Sequence, residues 1–370
     1  MDVGRLQPPC RTKGRMNMTR TCVRLLTILA LMGVLGAWST AAGVQTQPAE
    51  PVSERFTCDT ADGVKIVGEF YPDAKGKGER APCVVLLHPV GPARNSSSRA
   101  DFGRLPQLLQ QEGFAVVVFD FRGHGESVEI DMPRYYDLYP PARANPNQPL
   151  PNRIDNRDFR QIAEWVRMTN DLTAVKVWLN KQNNLKKCNS HNVALVGVEQ
   201  STLLGLMFAV NEHRDPNRAL DFAGQRMDQE LRLEGEDLVS AVWLTPTDRL
   251  GGERIDPTVF QAGLQFLQAR RLNLMAAFGE DDQAARDLWN RTQTSLRTRE
   301  RDAERGALVR RIKGTSLGGL RLLEHPTFGV QKEMVQFLTD TLQTPNMPWS
   351  EHRGNQHPSL VNAARIFGAP

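Results

Sequence analysis

The sequence is poor in cysteine, with 5 among its 370 residues. Three of them, Cys58, Cys83 and Cys188, lie beyond the basic N-terminal segment and are widely spaced. Such a set forms neither a disulfide framework nor a zinc-ligand pattern. Two alternatives stand: one Cys58–Cys83 bridge in an oxidising compartment, or buried free thiols.

Beyond the first 42 residues the chain also lacks an excess of either positive or negative charge. The whole chain has 46 lysines and arginines against 42 acidic residues. Residues 1–42 hold 6 of the basic residues and 1 of the acidic ones, so 40 basic residues face 41 acidic ones in the remainder. This balance gives no basic surface for nucleic acid or for an anionic membrane, and we expect no nucleic-acid partner.

The main apolar run of the chain is too short for a comfortable membrane span. Leu25 to Ala37 follows basic residues and precedes the small residues 39–43. This order is typical of a secretory signal peptide cleaved near Ala41 or Ala42. We therefore expect residues 1–42 to be removed and the protein to be secreted or periplasmic, with no membrane span after cleavage. A retained N-terminal membrane anchor is the alternative.

The rest of the chain alternates strand patterns with helical patterns. Strand patterns lie at Pro82–Leu87, Phe114–Asp120, Asn192–Val196, Leu238–Leu244, Leu272–Phe278 and Leu320–Leu323. Helical patterns lie at Phe102–Glu112, Phe159–Asn183, Ser201–Glu212, Pro257–Arg270, Asp282–Gly306 and Val330–Leu342. This alternation predicts the α/β class, with right-handed crossovers, a mostly parallel central sheet and helices on both faces. An Asp62-Gly63 turn between alternating segments predicts an N-terminal β-hairpin before that sheet.

We expect one large domain at residues 55–343, after a polar linker at 43–54. The segment 129–157 is rich in proline, asparagine, tyrosine and arginine, which predicts a cap-like excursion over the sheet. Residues 344–370 are expected to be a loosely attached tail.

Four motifs follow strand patterns in a fixed order. They are Leu86-Leu87-His88-Pro89-Val90-Gly91, Phe119-Asp120-Phe121-Arg122-Gly123-His124-Gly125-Glu126-Ser127, Gly279-Glu280-Asp281-Asp282 and Glu324-His325-Pro326-Thr327-Phe328-Gly329. In this order and spacing the chain resembles the α/β-hydrolase superfamily, in particular its dienelactone-hydrolase-like and serine-aminopeptidase-like members. The resemblance implies the α/β-hydrolase fold, while function must be argued from the site.

The motif that would carry the nucleophile departs from the family at its central residue. Gly197-Val198-Glu199-Gln200-Ser201 lies between a strand pattern and a helical pattern, where the family has G-x-S-x-G. Glu199 stands at the position of the nucleophilic serine, and Ser201 stands at that of the second glycine. The resemblance therefore implies a Ser-His-Asp triad that is degenerate at its nucleophile.

The other members of the site follow from the same resemblance. It assigns the general base to His325 and the orienting acid to Asp282. Asp282 just before a helix is equally suited to be an N-cap, and both roles stand. The N–H groups of Val90 and Gln200 would form the oxyanion hole, although Pro89 replaces a glycine of the family there.

Two serines are candidates that we set aside. Ser316 lies in Gly314-Thr315-Ser316-Leu317-Gly318, a literal G-x-S-x-G, but no buried strand is predicted before it and no helix after it. We expect Ser316 to be a loop serine. Ser201 begins a helix, and its hydroxyl is expected to point away from the pocket.

Glu199 allows several functions. The favoured one is a catalytically inactive or weakly active protein that binds a small molecule or acyl ligand, because loss of a serine nucleophile costs about 10⁶-fold in turnover. Glu199 could instead act as a carboxylate nucleophile on ester-like, epoxide or halide substrates, or as an acid/base group with His325. A glutamate is one methylene longer than the aspartate used by dehalogenases and epoxide hydrolases, and this greater length counts against the nucleophile role. The third alternative is a cell-envelope interaction protein. No cofactor and no metal is implied, and no protein partner can be named.

With base, acid and backbone donors all expected in place, a simple test follows from the sequence. Glu199→Ser is expected to create or raise esterase activity, whereas substitutions of Ser201 or Ser316 are not.

Overall fold

The computed structural model describes residues 53–141, 149–214, 234–296, 307–343, 348–352 and 357–361. The predicted signal peptide lies outside the described residues, as do the linker up to residue 52, the middle of the excursion and much of the C-terminal tail. None of the helices in these ranges has the length and hydropathy that crossing a membrane requires.

Most of the strands form one large sheet. The strands are β1 (Glu54–Asp59), β2 (Lys65–Tyr71), β3 (Pro82–Leu87), β4 (Ala115–Phe119), β5 (Asn189–Val198), β6 (Leu238–Leu244), β7 (Arg249–Leu250), β8 (Glu253–Arg254), β9 (Asn273–Gly279) and β10 (Leu308–Ile312). Within the described residues the sheet has the order β1-β2-β4-β3-β5-β6-β9-β10, and β7 pairs with β8 in a separate hairpin. The strand β2 is antiparallel to β1 and β4, and the pairs from β4 through β10 are parallel. The predicted hairpin and mostly parallel sheet are confirmed.

The centre of the sheet is buried on both faces by helices. Every residue of β3 and β4 is buried, as continuous apolar runs predict. The helices are α1 (Leu105–Gln111), α2 (Met132–Leu138), α3 (Ile162–Val166), α4 (Thr169–Asn184), α5 (Ser201–Arg214), α6 (Pro257–Ala269), α7 (Gln283–Leu296), α8 (Gly319–Glu324) and α9 (Val330–Leu338). Side chains of α3 to α7 pack in one apolar cluster with Val85 of β3, and those of α1, α8 and α9 pack in a second with Val84. Successive residues of a strand point to opposite faces, so helices cover both faces, as predicted.

The last strand is not where the sequence analysis places it. Residues 320–323 belong to helix α8, and the last strand is β10, which pairs with β9 alone at the edge of the sheet. The prediction was wrong because Arg310 and Arg311 interrupt the apolar pattern of β10, which an edge strand tolerates. Leucine, arginine and glutamate in Leu320–Glu324 are good helix formers, and the helix buries the side chains of Leu322 and Leu323.

The helix predicted at Phe159–Asn183 is two helices, α3 and α4, and α4 is unusual because its buried side chains are mostly polar. Part of the C-terminal tail covers them. We call residues 348–352 and 357–361 the strap. Asn183 donates to the carbonyl of Ser350 at 2.9 Å, and Asn170 accepts from the N–H of Val361 at 2.8 Å. The expectation of a loosely attached tail is therefore wrong for the strap, since it supplies partners for polar groups of α4.

The predicted excursion lies beside the hairpin turn and the loop after β3. Its N-terminal part contains α2, and the N–H of Asp131 donates to the carbonyl of Gly63 at 2.7 Å. Its C-terminal part is joined to the β3 loop by Asn156, which donates to the carbonyl of Asn95 at 3.1 Å. The described parts of the excursion thus lie at the carboxyl edge of β3 and β4, and its role as a cap stays a prediction.

The cysteines form no bridge in the described part of the chain. Cys58 lies in β1 and Cys83 in β3, with β2 and β4 between them in the sheet. Three strand spacings of about 4.8 Å separate the two strands by about 14 Å, which by itself exceeds the reach of a disulfide. Both thiols and that of Cys188 are free.

Candidate functional site

The turn between β5 and α5 has the predicted elbow shape. Glu199 has a φ of 53°, in the left-handed region that few residues other than glycine adopt. Its N–H donates to the carbonyl of Leu244 at 2.8 Å, and its carbonyl accepts from the N–H of Thr202 at 3.1 Å. Gly197 must be small, since a methyl group there would lie 2.9 Å from Cα of Thr202. Strand, turn and helix therefore present Glu199 at the carboxyl edge of the sheet.

Ser201 serves the turn itself. Its Oγ accepts from the N–H of Val198 at 2.8 Å and lies 2.8 Å from the carbonyl of Leu87, to which it can donate. The side chain is fully buried. The hydroxyl points into the ends of β3 and β5 rather than outward, as expected.

The Glu199 carboxylate forms a two-point ion pair with Arg94. Nε of Arg94 donates to Oε2 at 2.9 Å and Nη2 donates to Oε1 at 2.5 Å. Arg94 ends a short 3₁₀ turn in the loop after β3, and its hydrogen bonds to Glu199 raise its pKa above the ordinary value. The side chains are 39 % and 24 % exposed, so the pair contributes about 1 kcal/mol or less to stability. The pair also occupies both carboxylate oxygens of Glu199, which makes these oxygens less available for reaction.

Gly319 faces Glu199 from the loop after the last strand. A methyl group on Gly319 would lie 2.8 Å from Oε1 of Glu199 and 3.0 Å from Cγ1 of Val198. The N–H of Gly319 donates to Oγ1 of Thr245 at 2.8 Å, which holds the glycine in place. The resemblance implies that a histidine of this loop reaches the nucleophile, and here a residue without a side chain makes that approach.

His325 lies at the opposite end of α8 from Gly319. The helix has six residues, which span about 9 Å, and His325 directly follows its last turn. The imidazole stacks on the ring of Phe328 at 4.0 Å, and its Nδ1 lies 3.0 Å from Oγ1 of Thr327. Within the described ranges no hydrogen bond or ion pair joins His325 to Glu199. The structure therefore does not bring these two candidate residues together.

Asp282 acts as a helix cap. Its Oδ1 accepts from the N–H of Ala285 at 3.1 Å in the first turn of α7. Where the structure describes the chain, no hydrogen bond joins Asp282 to a histidine. The two roles suggested by the sequence thus separate, and the contacts are those of the N-cap.

Gln200 closes part of the space beside the predicted oxyanion hole. A methyl group on Gly91 would lie 2.5 Å from Nε2 of Gln200, so this carboxamide lies directly against the loop that holds Val90. Its Oε1 accepts from the N–H of Gly251 at 2.9 Å, which ties the β7–β8 hairpin to the elbow. Val90 itself is fully buried. The elbow is thus flanked by the Gln200 side chain, which packs against Gly91 and accepts a hydrogen bond from Gly251.

Two buried histidines support the loops around this edge. His88 accepts from the N–H of Phe121 through Nε2 at 3.0 Å, so its Nδ1 carries the proton and donates to the carbonyl of Pro89 at 2.8 Å. Burial lowers the pKa of His88 to about 4 and that of His124 to about 3. Both are neutral supports of the fold and do not contact Glu199.

These histidines predict a fold that weakens in mild acid. In the unfolded chain each takes a proton near pH 6.5, whereas in the folded chain neither does until the pH is near 4 or below. The unfolded state therefore binds more protons, and the free energy of unfolding falls as the pH drops below about 6.5. Urea denaturation should show a loss on the order of 2 kcal/mol per histidine between pH 7.5 and 5.

The control for this prediction is the double variant His88→Gln, His124→Gln. Glutamine at position 88 can still accept from Phe121 and donate to Pro89, but it does not titrate. The variant should show a flatter profile over the same pH range. An unfolding free energy of the natural chain that does not change from pH 7.5 to 5 would contradict the assignment.

Arg122 joins two buried carboxylates from distant parts of the chain. Its Nη1 and Nη2 donate to Asp62 at 2.6 and 2.9 Å, and its Nε donates to Asp171 of α4 at 2.7 Å. Asn170 and Tyr139 also donate to Asp62, each at 3.0 Å. Burial opposes ionisation of Asp62, but the Arg122 guanidinium outweighs it and holds the pKa of Asp62 well below its usual range. The turn that carries Arg122 is thus a structural support.

A second charged group, drawn from β2, the loop after β3 and the turn after β4, lines a cavity of about 300 Å³. Arg99 forms ion pairs with Glu69, Asp120 and Glu126, and all four residues line the cavity. The three carboxylates share one guanidinium, so these four lining residues keep a net negative charge. Glu199 does not line it.

The literal motif around Ser316 has the secondary structure that we expected it to lack. It lies between β10 and α8, so the expectation that no helix follows it was wrong, whereas β10 is not a buried strand. Ser316 is nevertheless exposed, and the strand before it is the half-exposed edge strand. The residue of this loop that reaches Glu199 is Gly319.

One cluster in the described ranges has residues of metal-ligating type. Ligand atoms of His191, Asp237 and His352 lie within 4.8 Å of one another. The ammonium of Lys176 lies 2.8 Å from Oδ2 of Asp237 and already balances its charge. A divalent ion would add two buried charges without a counter-charge, which is strongly unfavourable. This donor set does not fit a metal.

Sequence reasoning missed Arg94 and Gly319, the two residues that define the surroundings of Glu199. Arg94 is one of many arginines, and only the need of a strand-end carboxylate for a counter-charge pointed to a partner. Gly319 was hidden because the strand before it was assigned to residues 320–323. With β10 correctly placed, the Gly318-Gly319 pair would lie at the end of the loop that follows the last strand.

No family model matches the sequence, and no curated protein matches it significantly. Solved structures with a similar chain path include an esterase from Pyrococcus furiosus, at 15 % identity over 79 % of this chain and 93 % of that one, with a TM-score of 0.43. Others are an α/β serine hydrolase without a lid from Xanthomonas campestris (13 % identity, 80 % and 97 % covered, TM-score 0.40) and esterase 2 from Thermogutta terrifontis (11 %, 80 % and 97 %, 0.47). Such likenesses bear on neither activity nor substrate.

Proposed function

We propose that the protein binds a small molecule at the carboxyl edge of its sheet and does not hydrolyse it. It would then be an α/β-hydrolase-like protein with a degenerate triad. The observation that carries the proposal is the Arg94–Glu199 ion pair faced by Gly319. A triad reaction requires a nucleophile and a base within hydrogen-bond reach of each other. At this elbow the Glu199 carboxylate is bound by Arg94, and the residue that faces it, Gly319, has no side chain to act as a base.

The same contacts count against Glu199 as a carboxylate nucleophile. Attack on an epoxide or a haloalkane needs a free carboxylate oxygen, and Arg94 binds both oxygens. The resulting ester must then be hydrolysed by a water that a base activates. The His325 imidazole stacks on Phe328 at the far end of α8 and is not joined to Glu199. Glu199 is better suited to charge recognition.

The ion pair is placed to take part in binding. Both side chains are partly exposed, and Arg94 is the better exposed of the two. An acyl ligand that carries a carboxylate can compete with Glu199 for the guanidinium of Arg94, because this fork binds carboxylates in a two-point manner. The excursion is hydrogen-bonded to Asn95 next to Arg94, and the β7–β8 hairpin is hydrogen-bonded to Gln200 next to Glu199. A role at the cell envelope, and export by the predicted signal peptide, stay predictions.

The test compares the natural chain with Glu199→Gln on p-nitrophenyl acetate and butyrate. Glutamine has the same shape and no charge, so it removes any carboxylate chemistry and leaves the turn intact. We expect the two proteins to release p-nitrophenol at the same low rate. Mass spectrometry after incubation with an epoxide and a haloalkane should show no adduct on Glu199.

The binding arm of the test uses thermal unfolding with acetate, butyrate and hexanoate. At least one of these carboxylates should raise the Tm of the natural chain, and Arg94→Met should abolish the shift. Arg310→Met removes an arginine from an exposed ion pair elsewhere and should keep it. Turnover that disappears in Glu199→Gln or in Ser201→Ala would overturn the proposal.

A further inference from the structure

The Arg94–Glu199 ion pair lies at the topological switch point of the sheet. Strands β3 and β5 are parallel neighbours, but β4 lies on one side of this pair of strands and β6 on the other. The helices that follow the two strands, α1 and α5, pack on opposite faces of the sheet. The loops after β3 and β5 therefore diverge, and ligands of open α/β sheets bind between such loops. Arg94 belongs to the first loop and Glu199 to the second, so the ion pair joins the two sides of this position.

Each member of the pair is the counter-charge of the other. Nε and Nη2 of Arg94 donate to the two oxygens of Glu199, and within the described ranges no second cation is paired with this carboxylate. Asp101 attracts Arg94 more weakly than Glu199 does, and its own carboxylate accepts from the Ser97 hydroxyl. Both side chains of the pair are partly exposed, so a solute can reach them. A ligand that binds one charge of the pair therefore uncovers the other.

The backbone on both sides of the pair is fixed. The N–H of Arg94 donates to the carbonyl of Gly91 at 2.8 Å, and the carbonyl of Arg94 accepts from the N–H of Ser97 at 2.9 Å. Hydrogen bonds of the elbow hold the backbone of Glu199, and Gly319 lies against its Oε1. The pair therefore opens by rotation of side chains, chiefly the long one of Arg94, rather than by movement of loops. Glu199 then stays at the elbow with its charge.

A ligand with a single charge restores only half of this arrangement. A carboxylate that binds Arg94 replaces Glu199 as the acceptor, but it leaves the mostly buried Glu199 carboxylate without a counter-charge. An ammonium that binds Glu199 leaves Arg94 uncovered in the same way. A charge that loses its partner in a partly buried place is unfavourable. Each of these exchanges thus loses part of the free energy of binding that it gains.

We propose that the ligand of this site is a small zwitterion, an amino acid whose carboxylate binds Arg94 while its ammonium binds Glu199. This inference rests on the proposed function, because it names the class of ligand bound at the same ion pair. Such a ligand exchanges one ion pair for two and leaves the net charge of the site unchanged. The guanidinium fork of Arg94 binds the ligand carboxylate at two points, and the oxygens of Glu199 accept from the ammonium.

The experiment compares each carboxylate of the binding test above with the amino acid and the amine that have the same number of carbon atoms. The sets are acetate, glycine and ethylamine; butyrate, 4-aminobutyrate and butylamine; and hexanoate, 6-aminohexanoate and hexylamine. Thermal unfolding of the full-length chain is followed at pH 7.5 and constant ionic strength, where carboxylates and ammonium groups are both charged. In at least one set the amino acid should raise the Tm in a saturable way at a concentration about fivefold lower than the carboxylate or the amine requires, as one additional partly exposed ion pair provides.

The variant Glu199→Gln separates the two halves of the site. It removes the partner of the ammonium and releases Arg94, so the carboxylates should bind at least as well as they bind to the natural chain. The amino acid should then lose its advantage over the carboxylate, to within about twofold. Glu333→Gln is the matched control, because it removes the acidic partner of another partly exposed two-point pair, Arg310–Glu333. It should keep the advantage seen in the natural chain.

The outcomes distinguish this inference from the proposed function. Carboxylates that bind to the natural chain as well as their amino acids do would overturn the inference and leave the proposed function in place. Amines that bind as well as the amino acids would also overturn it, since Arg94 would then contribute nothing. The same holds for an advantage that survives in Glu199→Gln, because the ammonium would then be bound elsewhere. A chain whose Tm responds to none of these compounds would overturn both.

Discussion

Replacing Arg122 by methionine is expected to lower the free energy of unfolding by about 3–5 kcal/mol, the cost of breaking a buried ion pair by removing one partner. The side chain of Arg122 is 2 % exposed, and those of Asp62 and Asp171 are fully buried. Methionine fills much of the same volume but supplies no charge and no donor. It therefore leaves two carboxylates in the interior with no cation beside them. Urea denaturation at pH 7.5 measures the change.

The matched control is Arg310→Met. Arg310 also makes a two-point ion pair, with Glu333, but its side chain is 45 % exposed. Water screens that pair, and the same substitution there should cost about 1 kcal/mol or less. A loss below about 1 kcal/mol for Arg122→Met would show that the buried carboxylates find other partners or take up protons. Burial, rather than the number of hydrogen bonds, is what separates the two sites.

The second large effect concerns catalysis and reverses an expectation from the sequence alone. Glu199→Ser by itself is expected to leave esterase activity within about tenfold of the natural chain, because a serine needs a base to take its proton. The double variant Glu199→Ser, Gly319→His supplies that base at the position that faces the elbow. It should hydrolyse p-nitrophenyl acetate about 10²-fold faster than the single variant, at the lower end of what general-base catalysis contributes.

Shortening Glu199 removes the closest contact that a side chain at position 319 would make. A Cβ at Gly319 would lie 2.8 Å from Oε1 of Glu199, which Glu199→Ser removes, and 3.0 Å from Cγ1 of Val198, which must still shift slightly. The φ of 58° lies in a region that histidine enters more readily than most side chains.

Gly319→His alone is the control for this prediction and should stay inactive, since its ring would meet the Glu199 side chain. Strong esterase activity in the Glu199→Ser single variant would contradict the argument. It would mean that a base already reaches the elbow.

The elbow itself could be predicted because its signals are local. A buried strand, a small residue at Gly197 and an apolar helix are adjacent in the sequence, and the turn between them follows. The role of Ser201 was predictable for the same reason, because the first residue of a helix that leaves a tight turn points back into the strand ends.

The partners of Glu199 could not be predicted in this way. Arg94 is separated from it by more than a hundred residues, and Gly319 by about as many. Each reaches the elbow because the carboxyl ends of parallel strands meet at one edge of the sheet. Which residue of each loop arrives there depends on loop length and on where the strand ends. Because the last strand was assigned to residues 320–323, the position expected to face the elbow was taken to be His325, six residues beyond Gly319.

The contact between the strap and α4 could not be predicted from local sequence either. Its polar composition is typical of a loose tail, and α4 alone has too many polar residues for a buried helix. Each feature is explained in part by the other, because Asn170, Thr173, Asn183 and Asn184 of α4 are hydrogen-bond partners of the strap backbone.

The sequence alone determined the class of fold, the strands and helices up to β9 in outline, and the replacement at Glu199, since all of these rest on periodicity and on neighbouring residues. The tertiary structure alone decided that Arg94 neutralises Glu199, that a glycine and not His325 faces it, and that the tail closes over α4. These contacts join segments distant in the chain, and their geometry is set by how loops of different length converge on one sheet.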